Sequence, residues 1–432
     1  MGAAGCYRSE FDVNGRPKTI CMLIYGYYPA CSGGTENQCR LQSHELVRRG
    51  YRCFVLTARI SKDLPDYEMD NGSEIIRLTI LQPLIDTLLR IKNRISRNVS
   101  SVHAERNHQK KRNIDENQGI PYSGIVQWLN AAFYLFGTSL FLLRQRHNID
   151  IIHTHVASWN AGFAGWIGNL IGIPVLCKAA YLPAFHEYNR STPFPETWRR
   201  WRKHIRYIAL TKEMADDIAG NGIPRDRIHI IPNGVSIPDG IAPVEINRSV
   251  LYVGNFSQGS AHKGFDILIE AWARVHRVSP DARLVITGAG DSSNWQEMAK
   301  NLGCSESIRF AGHVSDMSSC YLEAALLVLP SRGEGISNAL LEANSYGIPA
   351  VVSDIPGNRE IVVNEQTGFI VTVDDIEAFA EAILKLIRDA ELRKKMGEES
   401  RKRIIKSFSI ASVVDRISKI YEIMSISKHS YS

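Results

Sequence analysis

The chain has 432 residues, of which 44% are apolar and 22% charged, and its formal net charge is +6. That length allows two or three domains, and the composition is globular rather than disordered or fibrous. No apolar run reaches the roughly 18 residues of a spanning helix, the opening MGAAGCYRSEFDVNGRPK has no apolar core of signal-peptide length, and the eight cysteines form neither a CxxC nor a tight framework. A cytoplasmic chain with reduced thiols is the expectation.

In chain order, KTICMLIYGYYP reads as a buried strand, followed by the glycine loop ACSGGTENQ and a helix through CRLQSHELVRRG. YRCFVLTAR is the next strand. Residues 60–120 are weakly patterned and read as a basic excursion out of the sheet; between 80 and 112, eight basic residues stand against two acidic ones. IVQWLNAAFYLFGTSLFLLRQR is a long helix with an apolar face. IDIIHTHV is a strand, SWNAGFAGWIGNLIG a helix and IPVLCKAA a strand. TWRRWRKHIR, at 197–206, interleaves Trp198 and Trp201 with five cations. HIRYIALTKEMADDIAGNGIP adds a strand and a helix, and IHIIPNGV ends the first half.

SIPDGIAPVEIN, at 236–247, has the proline and glycine content of a linker. RSVLYVG, ARLVITG, IRFAG, ALLVLPS and IPAVVSD are then short apolar strands, separated by helical patterns such as FDILIEAWARVHRV. From Asp374 to about Met424 the pattern is helical, with no strand left to pair, and Asp374-Asp375 reads as a helix start. The alternation predicts an α/β fold of two Rossmann-like parallel-sheet domains, 1–238 and 248–405, facing a central cleft. The helix over 406–432 is expected to cross back to the first domain. Ligands of such sheets bind beyond the carboxyl ends of the strands. Residues just after strands are therefore the candidates: Gly33 and Gly34, His153 and His155, Asn233 and Gly234, Asn255, Gly288 to Gly290, and Glu334.

Glu334 and Glu342, in GEGISNALLEANSYGIPAVV, stand eight positions apart. A helix is expected to open near Ser337 and Asn338, both good N-cap residues. The N–H groups of Ile336, Ser337 and Asn338 would then face an anion, helped by the helix dipole, and Gly333 and Gly335 would let the backbone approach it. Eight residues at helical rise span about 12 Å, whereas the two carboxylates of a glycosidase stand about 5–9.5 Å apart. The pair therefore suits two ends of one long ligand better than a single bond-breaking event. Spacing alone leaves open a plainer alternative, in which Glu342 complements the helix terminus and Glu334 is a solvated loop charge.

The run LPSRGEGISNALLEANSYGIPAVVSDIPGNREIV resembles the signature of family 4 retaining glycosyltransferases of the GT-B fold. YYPACSGGTENQ, IDIIHTH, YIALTKEMADDIAGNGIPRDRIHIIPNGV, KGFDILIEAWARV and EQTGFIV match in the same order, over roughly 20–60 and 150–425. The resemblance implies transfer of a sugar from a nucleotide-sugar, UDP- or GDP-linked, with retained anomeric configuration. Carried onto this chain, it puts Glu334 against the donor sugar and Glu342 on the ribose hydroxyls. Lys263 would neutralise the diphosphate leaving group, and Gly33 and Gly34 would bring backbone to it. His155 would border the donor sugar, with His153 packed in its strand, and Gly288 would line the nucleotide pocket. The family usually has a Gly-Arg pair after the first strand of the second domain. Here that pair is Gly254-Asn255, which removes an expected cation, with Lys263, Arg332 or Lys178 as candidates to replace it.

No Asp-x-Asp pair follows a strand at the donor position, so no metal and no cofactor is expected beyond the donor itself. The acceptor would be a polysaccharide or a lipid-linked glycan. The basic residues of 80–112 and 197–206 suit an anionic membrane surface, hence a peripheral location; no nucleic-acid reader motif is present. A nucleotide-sugar epimerase and a non-catalytic nucleotide-sugar binder are the alternatives on the same fold.

Overall fold

The computed structural model describes residues 15–31, 33–81, 124–185, 199–241, 249–256 and 260–429. Most of the basic stretch 80–112, Trp198 and the second half of the linker lie outside the described residues. The chain divides into two units, Met1–Lys178 with Glu187–Arg206 and Met424–Ser432, and Ala179–His186 with Tyr207–Ile423.

In the first unit the elements are β1 (Thr19–Leu23), α1 (Gly34–Arg48), β2 (Arg52–Arg59), β3 (Tyr67–Asp70), β4 (Ser73–Thr79), α2 (Gly124–Gln145), β5 (Ile151–His155), α3 (Trp159–Ile171) and β6 (Val175–Lys178). Their strands run in the order β3-β4-β2-β1-β5-β6. β1 is buried along its whole length, TICML, as a central parallel strand covered on both faces must be. It pairs in parallel with β2 (Cys21 opposite Phe54) and with β5 (Cys21 opposite Ile152).

One expectation is corrected here. Residues 67–79 are not an excursion: β4 pairs in parallel with β2, and β3 folds back antiparallel on β4. The turn between them is Asn71-Gly72, with φ of 46° and 84°. Two consecutive left-handed residues match the twist of the flanking strands, and Asn-Gly is the pair that adopts them most readily. Arg77 on β4 is buried and locks the hairpin, donating to the Glu68 carboxylate and to the carbonyls of Pro65 (3.2 Å) and Tyr28 (3.1 Å).

In the second unit, β7 (Arg206–Ala209) and β8 (Ile228–Ile230) form a parallel pair with α4 (Lys212–Gly220) between them in sequence. Then follow β9 (Ser249–Val253), α5 (Phe265–Val278), β10 (Arg283–Thr287), α6 (Ser293–Asn301), β11 (Ile308–Gly312), α7 (Ser318–Leu322), β12 (Leu326–Leu329), α8 (Asn338–Ser345), β13 (Ala350–Ser353), α9 (Pro356–Ile361) and β14 (Gly368–Val371). The helices α10 (Ile376–Arg388), α11 (Ala390–Ser407) and α12 (Ile410–His429) end the chain. The sheet order is β11-β10-β9-β12-β13-β14, parallel throughout. β14, GFIV, is a strand beyond those expected, set beside β13 (Val351 opposite Phe369).

Local chemistry explains the boundaries. Thr211, Asp375 and Asp389 each accept a hydrogen bond from a first-turn N–H of α4, α10 and α11, a cap worth about 1 kcal/mol apiece. Trp272 of α5 is fully buried, and its indole N–H donates to Ser307 Oγ at 2.9 Å, so its polar edge costs nothing. The start of α12 is tied to the segment after β8: Val235 N–H donates to Phe408 O (2.9 Å) and Ile410 N–H to Val235 O (2.8 Å).

Candidate functional site

The second unit presents its expected residues on the loops that leave β9, β10 and β12. Gly264 starts α5 with φ +70°, and a Cβ there would lie 2.0 Å from the Pro330 carbonyl oxygen. Only glycine can hold that turn so close to the exit of β12. Arg332 N–H donates to His262 O at 2.7 Å, joining the same two loops. Their union directs Lys263 at Glu334. The two are ion-paired, the lysine side chain 29% exposed and the glutamate 9%. The second carboxylate oxygen, Glu334 Oε2, is buried with no hydrogen-bond partner among the described residues, an arrangement rare enough to call for a reason. Tyr252 beneath them donates to the Lys263 carbonyl at 3.2 Å. Burial, then the negative charge of Glu334, hold its phenol far above the ordinary tyrosine range.

The helix α8 opens where the sequence places it, with Ser337 as N-cap and no side-chain capping bond from that serine. Asn233, also buried, donates to Ile336 O (3.2 Å) and Asn338 Oδ1 (3.1 Å), which fixes the first turn. Gly335 runs through a narrow space, where a Cβ would meet Ala180 O at 2.9 Å. Glu342, one turn into α8, accepts a hydrogen bond from Tyr321 Oη at 2.7 Å, and Tyr321 stacks on Tyr346 with centroids 5.3 Å apart. Burial pushes the Glu342 carboxyl up, and the Tyr321 bond opposes it without restoring it.

Asn255 does not stand in for the missing cation. Its Oδ1 accepts from Ala289 N–H at 2.9 Å, while Phe256 N–H donates to Ala289 O at 2.7 Å. A Cβ on Gly288 would fall 2.0 Å from Gly254 O. The glycines of TGAG are thus demanded by the neighbouring loop. Arg332 is also committed: its guanidinium spans Asp266 (2.9 and 2.7 Å) and Asp374 (2.7 Å). Of the cations named as replacements for an arginine at 255, Arg332 is thus paired with two carboxylates and Lys263 with one.

The first unit holds the remaining residues. Gly33 is the N-cap of α1, and its Cβ position would be 2.5 Å from Glu36 Oε2, so a carboxylate already covers this helix start. His153 and His155 stack on β5 with centroids 4.7 Å apart, 0% and 3% exposed. Neither ring nitrogen of His155 has a hydrogen-bond partner among the described residues. Lys178, opposite His155 in register, reaches Gln38 Oε1 at 3.5 Å. Burial drives all three toward their neutral forms: His153 falls to about 3, His155 well below its usual value, and Lys178 to about 7. The unfolded chain protonates these histidines below about pH 6.5 while the folded chain does not. Their stabilising contribution is full above that value and is lost as the pH falls below it, for His153 toward about 3. A melting curve taken from pH 7 to pH 5 should therefore descend, at up to about 1.4 kcal/mol per pH unit for each histidine. His153→Leu should flatten the descent, and an unchanged slope would contradict this assignment.

Of the residues expected from sequence, Lys263 and Glu334 touch, and Asn255 and Gly288 lie in adjoining loops. Ile336 and Asn338 share Asn233, while Glu342 contacts Tyr321. The supporting tyrosines 252, 321 and 346 carried no sequence signal beyond being aromatic. Asn233 was visible only as a residue after a strand.

Residues 32–237 match the family model Glycosyltransferase Family 4, and residues 241–403 match Glycosyl transferases group 1. The UDP-Gal:alpha-D-GlcNAc-diphosphoundecaprenol alpha-1,3-galactosyltransferase of Escherichia coli is 28% identical over 312 residues, 67% of this chain and 79% of that protein. Among solved structures, sucrose-phosphate synthase from Thermosynechococcus elongatus superposes with a TM-score of 0.68 at 18% identity, covering 95% of this chain and 100% of its own. HepE of Anabaena, in complex with UDP, gives 0.66 at 14% identity, covering 93% and 99%. Between them the two family models span most of the described sequence, with the Lys263–Glu334 pair and Glu342 inside the second. The chain belongs to the family 4 glycosyltransferases of the GT-B fold.

Proposed function

We propose that the chain is a retaining, metal-independent glycosyltransferase that moves a sugar from a UDP- or GDP-linked donor to a polysaccharide or lipid-linked glycan. The observation that carries this reading is the Lys263–Glu334 pair just before the start of α8, with a second half-buried carboxylate, Glu342, one turn into that helix. A nucleotide-sugar has a sugar ring on each side of its diphosphate, the ribose with its base on one side and the transferred sugar on the other. Glu342 takes the ribose hydroxyls, Glu334 Oε2 takes a hydroxyl of the donor sugar, and Lys263 with the α8 N-terminus takes the diphosphate. The UDP carried by HepE and the donor named for the Escherichia coli relative favour UDP over GDP.

In the reaction the anomeric carbon–phosphate oxygen bond breaks and a bond to the acceptor oxygen forms on the same face. The departing phosphate oxygen takes the acceptor proton. Negative charge grows on the diphosphate, where an ammonium and oriented N–H groups are worth most, and they supply what a divalent metal supplies elsewhere. Domains at 1–238 and 248–405 with a returning helix at 406–432 belong to the same reading.

Glu342→Gln tests it. The variant should bind a UDP-sugar at least tenfold more weakly, since hydrogen bonds to a charged acceptor are worth about 1.5–3 kcal/mol each. It should not melt lower at pH 7. A carboxyl whose folded pKa is raised lowers stability as the pH climbs through its unfolded value, and the amide removes that term. The wild-type screen uses thermal shift with UDP-, GDP- and ADP-sugars, then nucleoside diphosphate release with acceptor. A new sugar formed from donor alone would favour an epimerase; binding without release under any acceptor would favour a non-catalytic binder.

A further inference from the structure

α2 is built inside out. Its buried face, on β2 and β4, includes Asn130 and Thr138 beside Tyr134 and Leu142. Tyr134 Oη donates to Leu56 O at 3.3 Å, and Gly137 rests on Leu78. Its outward face carries Trp128, Phe133, Phe136, Leu140 and Leu143, exposed by 45, 47, 70, 38 and 41%. At 100° per residue these five fall in one sector of about 140°. No charged residue occurs from Gly124 to Leu143, so nothing on the helix keeps that face in water. An exposed apolar face of this length on a globular chain marks a surface that something covers.

The charge around it says what. Arg144 and Arg146 follow at the helix end, both exposed, while Arg16, which reaches His147 O at 3.0 Å, is already neutralised by Asp150 at 3.1 Å. Exposed Arg199, Arg200 and Lys203 belong to the same unit. No acid lies between Gly124 and Asn148, and the chain as a whole is +6. A second copy would bring cations against cations with no countercharge on the helix. An anionic bilayer supplies both the apolar phase and the opposite charge, with the tryptophan and arginines at headgroup level. No helix of the described residues is long and apolar enough to cross a membrane, and the inner face of α2 is packed on its sheet through Tyr134 and Gly137. We propose that the outward face of α2 is a membrane-docking surface, on which the chain lies on anionic lipid with Phe136 and Leu140 in the acyl boundary.

The test reads binding without turnover, so it stands or falls separately from the transferase reading. Full-length chain is sedimented with vesicles of phosphatidylglycerol and phosphatidylcholine, and with phosphatidylcholine alone. The chain should pellet with the mixed vesicles and release in high salt. The double variant Phe136→Glu, Leu140→Glu should partition at least tenfold less, while staying monomeric with an unchanged melting temperature. Three results would overturn the proposal. One is equal partitioning of both proteins, or none by the wild type. Another is a wild-type dimer that the variant splits, which would assign the face to a second copy. The last is a marked loss of melting temperature in the variant, which would mean that the chain itself covers the face.

Discussion

Lys263→Met is expected to lower kcat/KM by about a thousandfold, close to 4 kcal/mol of transition-state stabilisation, the upper end of what one fixed donor supplies to a developing oxyanion. The geometry argues for this residue in particular. Arg332 is held by two carboxylates and Asn255 by a backbone N–H, so neither can follow a diphosphate. Lys263 is held by Glu334, whose remaining oxygen is buried and has no partner among the described residues. On the proposed reading the pair is a resting arrangement that keeps the ammonium and the carboxylate at one point until the donor enters. A purely structural ion pair predicts something different. It would make Lys263→Met and Glu334→Gln equivalent, each costing stability and neither altering nucleoside diphosphate affinity. The transferase reading separates them. Lys263→Met should weaken inhibition by the free nucleoside diphosphate at least tenfold, whereas Glu334→Gln should leave that inhibition unchanged and still slow turnover. Equal inhibition constants across wild type and both variants would remove Lys263 from the diphosphate.

How far these roles were legible in sequence follows from the range of the interactions. The central strands of both sheets stood out because parallel strands covered on both faces are continuous apolar runs, as in TICML and LLVL. Glu334 and the opening of α8 were legible because glycine, serine and asparagine mark a strand-to-helix turn within a few residues. The β3–β4 hairpin was missed although Asn71-Gly72 announces it. A charged, exposed edge strand such as YEMD carries little apolar alternation, and the basic residues beyond it drew the whole region into one class. The partners of the site residues were beyond reach for another reason. Tyr321 meets Glu342 across 21 positions, Asn233 meets Asn338 across 105, and Lys263 meets Glu334 across 71. Such pairings are set by sheet order, which local patterns do not encode. The same holds for Asn255. Sequence shows that an arginine is absent, while only packing shows that the asparagine braces the Gly288 turn.

The glycines around Glu334 give the second large prediction, and they divide against the simplest sequence expectation. Both Gly333 and Gly335 were expected to admit a close ligand. The structure leaves open space around Gly333, with nothing within 4 Å of its Cβ position. The crowding is at Gly335 and, above all, at Gly357 in α9, whose Cβ would stand 1.5 Å from Gly335 O and 3.4 Å from Glu334 O. Neither neighbour is a flexible side chain that could swing aside. An alanine at 357 must push the backbone that carries Glu334, or push α9 off its loop. Overpacking of this kind costs typically about 1–3 kcal/mol. A displacement of roughly 1 Å at a reacting group costs about a hundredfold in rate. Gly357→Ala should therefore lower the melting temperature by several degrees and turnover by at least a hundredfold. Gly333→Ala, one position before the same carboxylate, should leave stability within about 0.5 kcal/mol of wild type. Because Gly357 meets the loop at backbone atoms, Gly357→Ala should damage turnover even under conditions where it remains fully folded. Full activity in a folded Gly357→Ala protein would mean that the position of Glu334 does not matter to the chemistry, and the role assigned to that carboxylate would have to be given up.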